Sequence, residues 1–372
     1  MNKTVLRTGK LAALRAARMA GLPWLLMRSP WRRRRLGILC YHGASLDDEH
    51  LWNPGLYMEP GKLRRRMQLI RESGCTVLPL DEAVRRLYEG SLPPRSLALT
   101  FDDGAFDFYS VAYPILREFG FPVTVYLTTY YSEFNRPVYD PMCSYLLWKA
   151  RGRTARWAAV FGSEEPVELA GPGLQSASER LRRYPAEQRL TGAPKDALLR
   201  QLAEVLDIDY ESILRRRMLH IMSQDEAREL AGRGVDFQLH THRHRVSLDK
   251  ALFQREIVEN RRRVEEIRGS EAAHFCYPGG VNRPEFGAWL RELSIRSATT
   301  CEFGMASRQS DAVRLPRFLD TNTSTEDEFT SWLSGARTFL PRRMAAENRG
   351  QFLEDYMGGP LESTSAEGTK GS

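Results

Sequence analysis

Two histidines with a three-residue gap, His240 and His244, follow the apolar run from Val235 to Leu239. Two adjacent carboxylates, Asp102 and Asp103, follow a second run, Leu97 to Phe101. Each cluster stands where a buried strand would end. Two imidazoles and one carboxylate form a catalytic zinc set with one coordination position left open. The remaining carboxylate is then free to act as a base, and the reaction type is metal-assisted hydrolysis. Adjacent acids raise each other's pKa. A metal on Asp103 would relieve that cost and leave Asp102 to take a proton from water. Asp-Asp-Gly is also a common turn sequence, so the pair alone is compatible with an Asx turn. Histidines four apart converge on one ion if the segment curls into a helical turn, which directs His242 away.

Two further strand ends carry notable residues. Tyr41-His42-Gly43 follows the run Leu36 to Tyr41, and Tyr277-Pro278-Gly279-Gly280 follows Ala273 to Cys276. Read alone, His42 is a hydrogen-bonded core histidine and Pro-Gly-Gly is a turn. Chemistry gathered at the carboxyl ends of several parallel strands is the pattern of a β/α barrel.

The elements that must position these residues alternate short apolar runs with helical patterns, which predicts βα units and a parallel sheet. Strands are expected at 36–41, 76–78, 96–101, 122–128, 235–240, 273–277, 296–300 and 313–318. Helices are expected at 60–73, 80–89, 107–119, 223–232, 251–267 and 283–293. Asp81 is a candidate cap, Gly90 a candidate stop, and Ser223 with Glu226 forms a capping box. The rhythm breaks over residues 131–222, rich in Arg, Ala and Glu, which predicts a helical insertion. The fold class is therefore α/β: a distorted barrel of 7–8 parallel strands over 36–340, with that insertion. Residues 341–372 are expected to be a partly disordered tail, rich in Gly, Ser, Thr and Glu from about 355.

Composition sets outer bounds. The 372 residues are 42% hydrophobic and 27% charged, as in a soluble globular protein. The net charge is +7, yet residues 1–36 hold ten Lys and Arg and no acid, so the remainder is −3 (7 − 10). With the charge confined there and no nucleic-acid motif beside it, a nucleic-acid partner is not expected. The basic extension, 1–35, has a helical pattern over 4–20 and an apolar patch at Trp24 to Met27 beside arginines. It predicts peripheral contact with an anionic membrane face, or else a solvated extension or a helix packed on the domain. No run of 18 apolar residues occurs, and the N-terminus lacks a secretory pattern. The 5 cysteines contain no CxxC and suggest a reducing compartment, so the expected location is cytoplasmic, peripheral on the inner face of the membrane if the anchor holds.

These residues resemble the polysaccharide deacetylases of the NodB-homology group, carbohydrate esterase family 4. Thr100-Phe101-Asp102-Asp103-Gly104 matches the first motif of that family, and His240-Thr241-x-x-His244 matches its H-[ST]-x-x-H motif. The resemblance spans roughly residues 36–130 and 222–320. It implies Asp102 as general base and Asp103, His240 and His244 as metal ligands. The Tyr277-Pro278-Gly279 turn resembles the third motif, which implies an oxyanion contact from the Gly279 N–H. The family commonly places an arginine two residues before that proline; here the position is Cys276, and Arg317 is a substitute source of charge. The late Leu-x-His motif is missing, because no histidine follows His274. The chain is instead similar to the circularly permuted branch acting on poly-N-acetylglucosamine-type exopolysaccharides, in which an early Tyr-His carries the acid, here Tyr41-His42.

The expected activity is removal of N-acetyl groups from amino sugars of a polysaccharide or glycoconjugate, with Zn²⁺, or else Co²⁺, Ni²⁺ or Fe²⁺, as the ion. The alternatives are a deacetylase or deformylase of a lipid-linked or small amino sugar, and a carbohydrate-binding protein on a degenerate scaffold.

Overall fold

The computed structural model describes residues 9, 12, 14–16, 19–162 and 165–339. The helix expected over 4–20 falls largely outside these residues, and the tail over 341–372 wholly so. The chain forms two compact units, one containing the segments up to Pro137 and from Arg216, the other Val138–Arg215.

The first unit is built on eight parallel strands: β1 (Gly37–Tyr41), β2 (Thr76–Val77), β3 (Ser96–Phe101), β4 (Thr124–Leu127), β5 (Asp236–Leu239), β6 (His274–Cys276), β7 (Ser297–Phe303) and β8 (Leu315–Leu319). Seven close into a barrel in the order β1-β3-β4-β5-β6-β7-β8, with β8 returning to β1. β2 pairs only with the first residues of β3. The registers Tyr41↔Phe101 and Leu127↔Leu239 bring the strand ends that carry the candidate residues level with one another. β1 and β3 are buried throughout, which explains their continuous apolar runs: strands covered on both faces do not alternate.

The helices differ from expectation in instructive places. The helix Leu80–Glu89 ends at Gly90, whose φ of 79° needs glycine. Asp81 does not cap it: it lies inside the first turn, one residue past the helix start, and its carboxylate stands 3.0 Å from His274 and 2.6 Å from Arg296. The segment expected to be one helix at 107–119 opens with a π-turn at Phe108–Ala112 before Tyr113–Phe119. The helix Glu326–Leu333 lies outside the expected set, although Thr325 and Glu328 form a capping box. Its Trp332 is fully buried and stacks on Phe318 with ring centroids 4.8 Å apart.

Part of the basic extension belongs to the barrel. Short helices at Leu22–Arg28 and Pro30–Arg33 lead into β1. Arg32 is wholly buried there, donating to the carbonyls of Leu333, Arg35 and Ser96. Burial lowers its pKa to about 10.

The second unit is mostly helical, with Tyr139–Lys149, Gly171–Glu187, Ala193–Val205 and Tyr210–Arg215 packed around Leu146, Leu181 and Leu202. It also contains an antiparallel hairpin, Thr154–Arg156 with Pro166–Glu168, that a purely helical reading omits. Residues 216–222, read as part of the insertion, belong to the barrel unit instead. Their apolar side chains are buried, and Met222 and His220 bond to Gly104 and Phe106.

Candidate active site

The site forms where β1, β3, β5, β6 and β8 end. Asp103 adopts a left-handed conformation with φ of 71°, which aspartate tolerates better than most residues. Gly104 follows with φ of 78°, and a Cβ there would stand 2.3 Å from Leu127. That left-handed pair ends the strand run, with Asp103 facing His240 and His244. The turn is held by Thr128 N–H on the Asp103 carbonyl and Met222 N–H on that of Gly104.

The two histidines meet without the expected helical turn. Thr241 and His244 have φ of 62° and 56°, so the segment is a loop with two left-handed residues. A β-branched residue in that region is strained and persists only where its surroundings fix it. Here the Thr241 hydroxyl accepts from Arg245 N–H, and His240 N–H donates to buried Asn260. Asn260 also donates to the Leu127 carbonyl and the Thr129 hydroxyl, tying the ends of β4 and β5 together.

Three lone-pair atoms converge. The Nε2 atoms of His240 and His244 lie 3.2 Å apart, and Asp103 Oδ1 stands 3.2 Å from the first and 3.1 Å from the second. Asp103 Oδ1 is buried yet receives no properly directed hydrogen bond. The His240 Nδ1 sits 2.8 Å from the Cys276 carbonyl, which fixes the proton on Nδ1 and leaves the Nε2 lone pair inward. An ion about 2.0–2.2 Å from each donor in tetrahedral array places its ligands about 3.3 Å apart, so the set fits one divalent cation. The electrostatics agree. Burial opposes charge on both residues, yet His240 is driven well above the usual histidine range by Cys276 and Asp103, and Asp103 is held well below the carboxylate range by the two histidines. The cluster favours positive charge at its centre.

Asp102 is buried beside this set and has different partners. Arg317, from β8, donates Nη1 to Oδ1 at 2.7 Å and Nη2 to Oδ2 at 2.8 Å, a fork-to-fork pair. Burial raises the Asp102 pKa, but the guanidinium outweighs it and holds the carboxyl well below its ordinary range. Arg317 Nη2 also reaches the Cys276 thiol at 3.1 Å, so this arginine lies against the residue occupying the position where the family commonly has one. Sequence reasoning misses that the Cys40 and Cys276 thiols each stand 3.4 Å from Asp102 Oδ2. It also misses Asn260, although an asparagine in line with inward-facing Phe253, Ile257 and Val264 is a readable signal.

His42 Nε2 lies 3.8 Å from Asp102 Oδ2. Burial lowers its pKa, while Asp102 and Asp103 act to raise it. Its loop is fixed by Asp107, which accepts from Ala44 N–H at 2.9 Å. Gly43 permits a close approach, since a Cβ there would lie 2.5 Å from the Tyr57 ring. His242 points away from the cluster; its Nδ1 is 2.9 Å from the Thr129 hydroxyl. Tyr277 is a packing residue: its hydroxyl donates to the Val313 carbonyl and its ring packs on Phe275. Pro278 is buried, and Gly279 beyond it has φ of 59°.

The family model described as polysaccharide deacetylase matches residues 89–150 and 205–298, segments that contain both the Asp102-Asp103 and the His240–His244 clusters. Over those two segments the chain is similar to that family. A stretch of 100 residues is 29% identical to the poly-beta-1,6-N-acetyl-D-glucosamine N-deacetylase of Escherichia coli (strain K12). It covers 26% of this chain and only 14% of that relative's length. The fold is similar to that of the Streptococcus pyogenes deacetylase PplD, with a TM-score of 0.53 and 17% identity, covering 82% of this chain and 99% of that one. The barrel is thus of the NodB type.

Proposed function

We propose that this protein removes N-acetyl groups from the amino sugars of a polysaccharide and releases acetate, using a divalent ion held by Asp103, His240 and His244. The observation that supports the reading most directly is the convergence of those three donor atoms beside a carboxylate that Arg317 keeps ionised. Zn²⁺ suits two imidazoles and a carboxylate best. Such an ion, when bound, supplies Lewis acidity toward an acetamide carbonyl and lowers the pKa of a water to about 7.

The protein's own groups do the rest. Asp102 accepts a proton from the attacking water. Its depressed basicity lowers the driving force but leaves it ionised at every working pH and quick to release the proton. The Gly279 N–H donates to the oxyanion formed as water adds to the carbonyl carbon. His42, neighbouring Asp102, gives a proton to the sugar nitrogen as the C–N bond breaks, and the products are acetate and a free amine. The early Tyr41-His42 and the likeness to the poly-beta-1,6-N-acetyl-D-glucosamine enzyme support a polymer of N-acetylglucosamine as substrate class.

The test is acetate release from N-acetylglucosamine oligomers, with metal content measured in parallel. Release that stops with a chelator and returns with Zn²⁺ is the expected result. A fully metal-loaded chain that releases no acetate from any N-acetylated polymer would overturn the proposal.

A further inference from the structure

The barrel's opposite end carries a surface that the reaction does not use. Helix Leu22–Arg28 turns Pro23 and Met27 inward. It leaves Trp24 and Leu25 outward, at 56% and 59% exposure, with Met19 just before it at 84%. A folded protein seldom leaves a cluster of large apolar groups in water without a use. Arg28 lies over the Trp24 ring at 3.7 Å, and Arg33 and Arg34 are exposed in the next turn. The acids of helix Glu326–Leu333, which packs against helix Leu22–Arg28, are already engaged: Glu326 with Arg65, Glu328 with Arg337, and Asp327 3.9 Å from Arg15.

This segment is fastened to the amino ends of the strands. Buried Arg32 donates to the carbonyl of Ser96, the first residue of β3, and to that of Leu333. Asp102 and Asp103 follow the last residue of the same strand. Six residues at about 3.3 Å each place the catalytic carboxylates about 20 Å along the strand from the Arg32 anchor.

We propose that the base of the barrel docks on an anionic phospholipid surface through Trp24, Leu25 and the arginines around them, with the catalytic mouth facing away from the lipid. Tryptophan and leucine beside arginines match the composition of interfacial segments, where apolar burial and attraction to anionic lipid act together. A run of ten Lys and Arg without an acid over residues 1–36 gives the charge complementarity. No described helix is long and apolar enough to cross a bilayer. The orientation suits a substrate reaching the mouth from the aqueous side.

The experiment is co-sedimentation of the full chain with vesicles of phosphatidylcholine alone or with about 30% phosphatidylglycerol. Binding is expected only to the anionic vesicles. It should fall about tenfold in Trp24→Ser/Leu25→Ser and by a similar factor in Arg33→Ser/Arg34→Ser. Acetate release from a soluble oligomer should be unchanged in both variants, and so should the melting temperature, since these side chains are exposed. Equal binding to neutral vesicles, binding that the Trp24 and Leu25 changes leave intact, or no binding at all would overturn the proposal. So would a dimer in vesicle-free light scattering that the same changes dissociate, because the patch would then be a contact between copies.

Discussion

The barrel carries a histidine and an aspartate cluster at each end, and the two are built to opposite purposes. At the amino end, His274 is buried with both ring nitrogens satisfied: Nδ1 lies 2.8 Å from the Ser297 hydroxyl and Nε2 3.0 Å from Asp81. At the carboxyl end, His240 and His244 direct Nε2 toward each other and toward a carboxylate oxygen that lacks a directed hydrogen bond. The first arrangement is complete in protein alone. The second makes sense around a cation. With His240 and His244 as the proposed ligands, whether an imidazole's second nitrogen is already satisfied separates structural from metal-binding histidines better than burial does, since His240 and His274 are equally buried.

The largest expected effect breaks the carboxyl-end cluster. Asp103→Ala or His240→Ala should abolish metal binding, read by elemental analysis, and reduce turnover at least ~10³-fold. Next, His42→Ala should retain the ion and lose about 10²- to 10⁴-fold in kcat. At the amino end, His274→Leu should leave Ser297 buried without its partner and cost about 2–3 kcal/mol in denaturant unfolding. Turnover per folded molecule should stay the same. A loss of metal in His274→Leu would erase the distinction between the two ends.

The smallest effect comes from His220, whose carbonyl braces Phe106 beside the Asp102-Asp103 turn. Burial lowers its pKa from 6.5 to about 4. A histidine held neutral in the fold binds its proton more readily when unfolded. Its contribution is therefore present above about pH 6.5 and is lost as pH falls toward 4. Folding stability should drop by about 2 kcal/mol from this group between pH 7 and 5, and His220→Gln should flatten that slope.

Much of this is legible in the residues. Continuous apolar runs mark strands β1 and β3, and the clusters that follow them mark the site, because the chemistry lies immediately beyond strand ends. What escapes depends on long-range pairing or on local strain. Arg317 reaches Asp102 across the barrel from β8, a partnership no local pattern encodes, and the motif resemblance only suggests it. The i, i+4 spacing of His240 and His244 favours a helical turn. Tertiary bonds from Asn260 instead hold a loop with two left-handed residues. Asp81 has a capping residue's chemistry, yet it lies inside the first turn, where His274 and Arg296 take its carboxylate. The Thr325–Glu328 capping box is a readable helix start that the apolar pattern alone does not reveal.

In the proposed function Asp103 and Asp102 divide the labour between adjacent carboxylates: the first would hold the ion and the second would handle the proton. The most direct test is metal stoichiometry and acetate release measured together on Asp102→Asn. The expected result is one ion per chain, as in the unchanged protein, with turnover reduced by about 10²-fold or more. An Asp102→Asn chain that loses its ion, or one that keeps both ion and full turnover, would contradict that division.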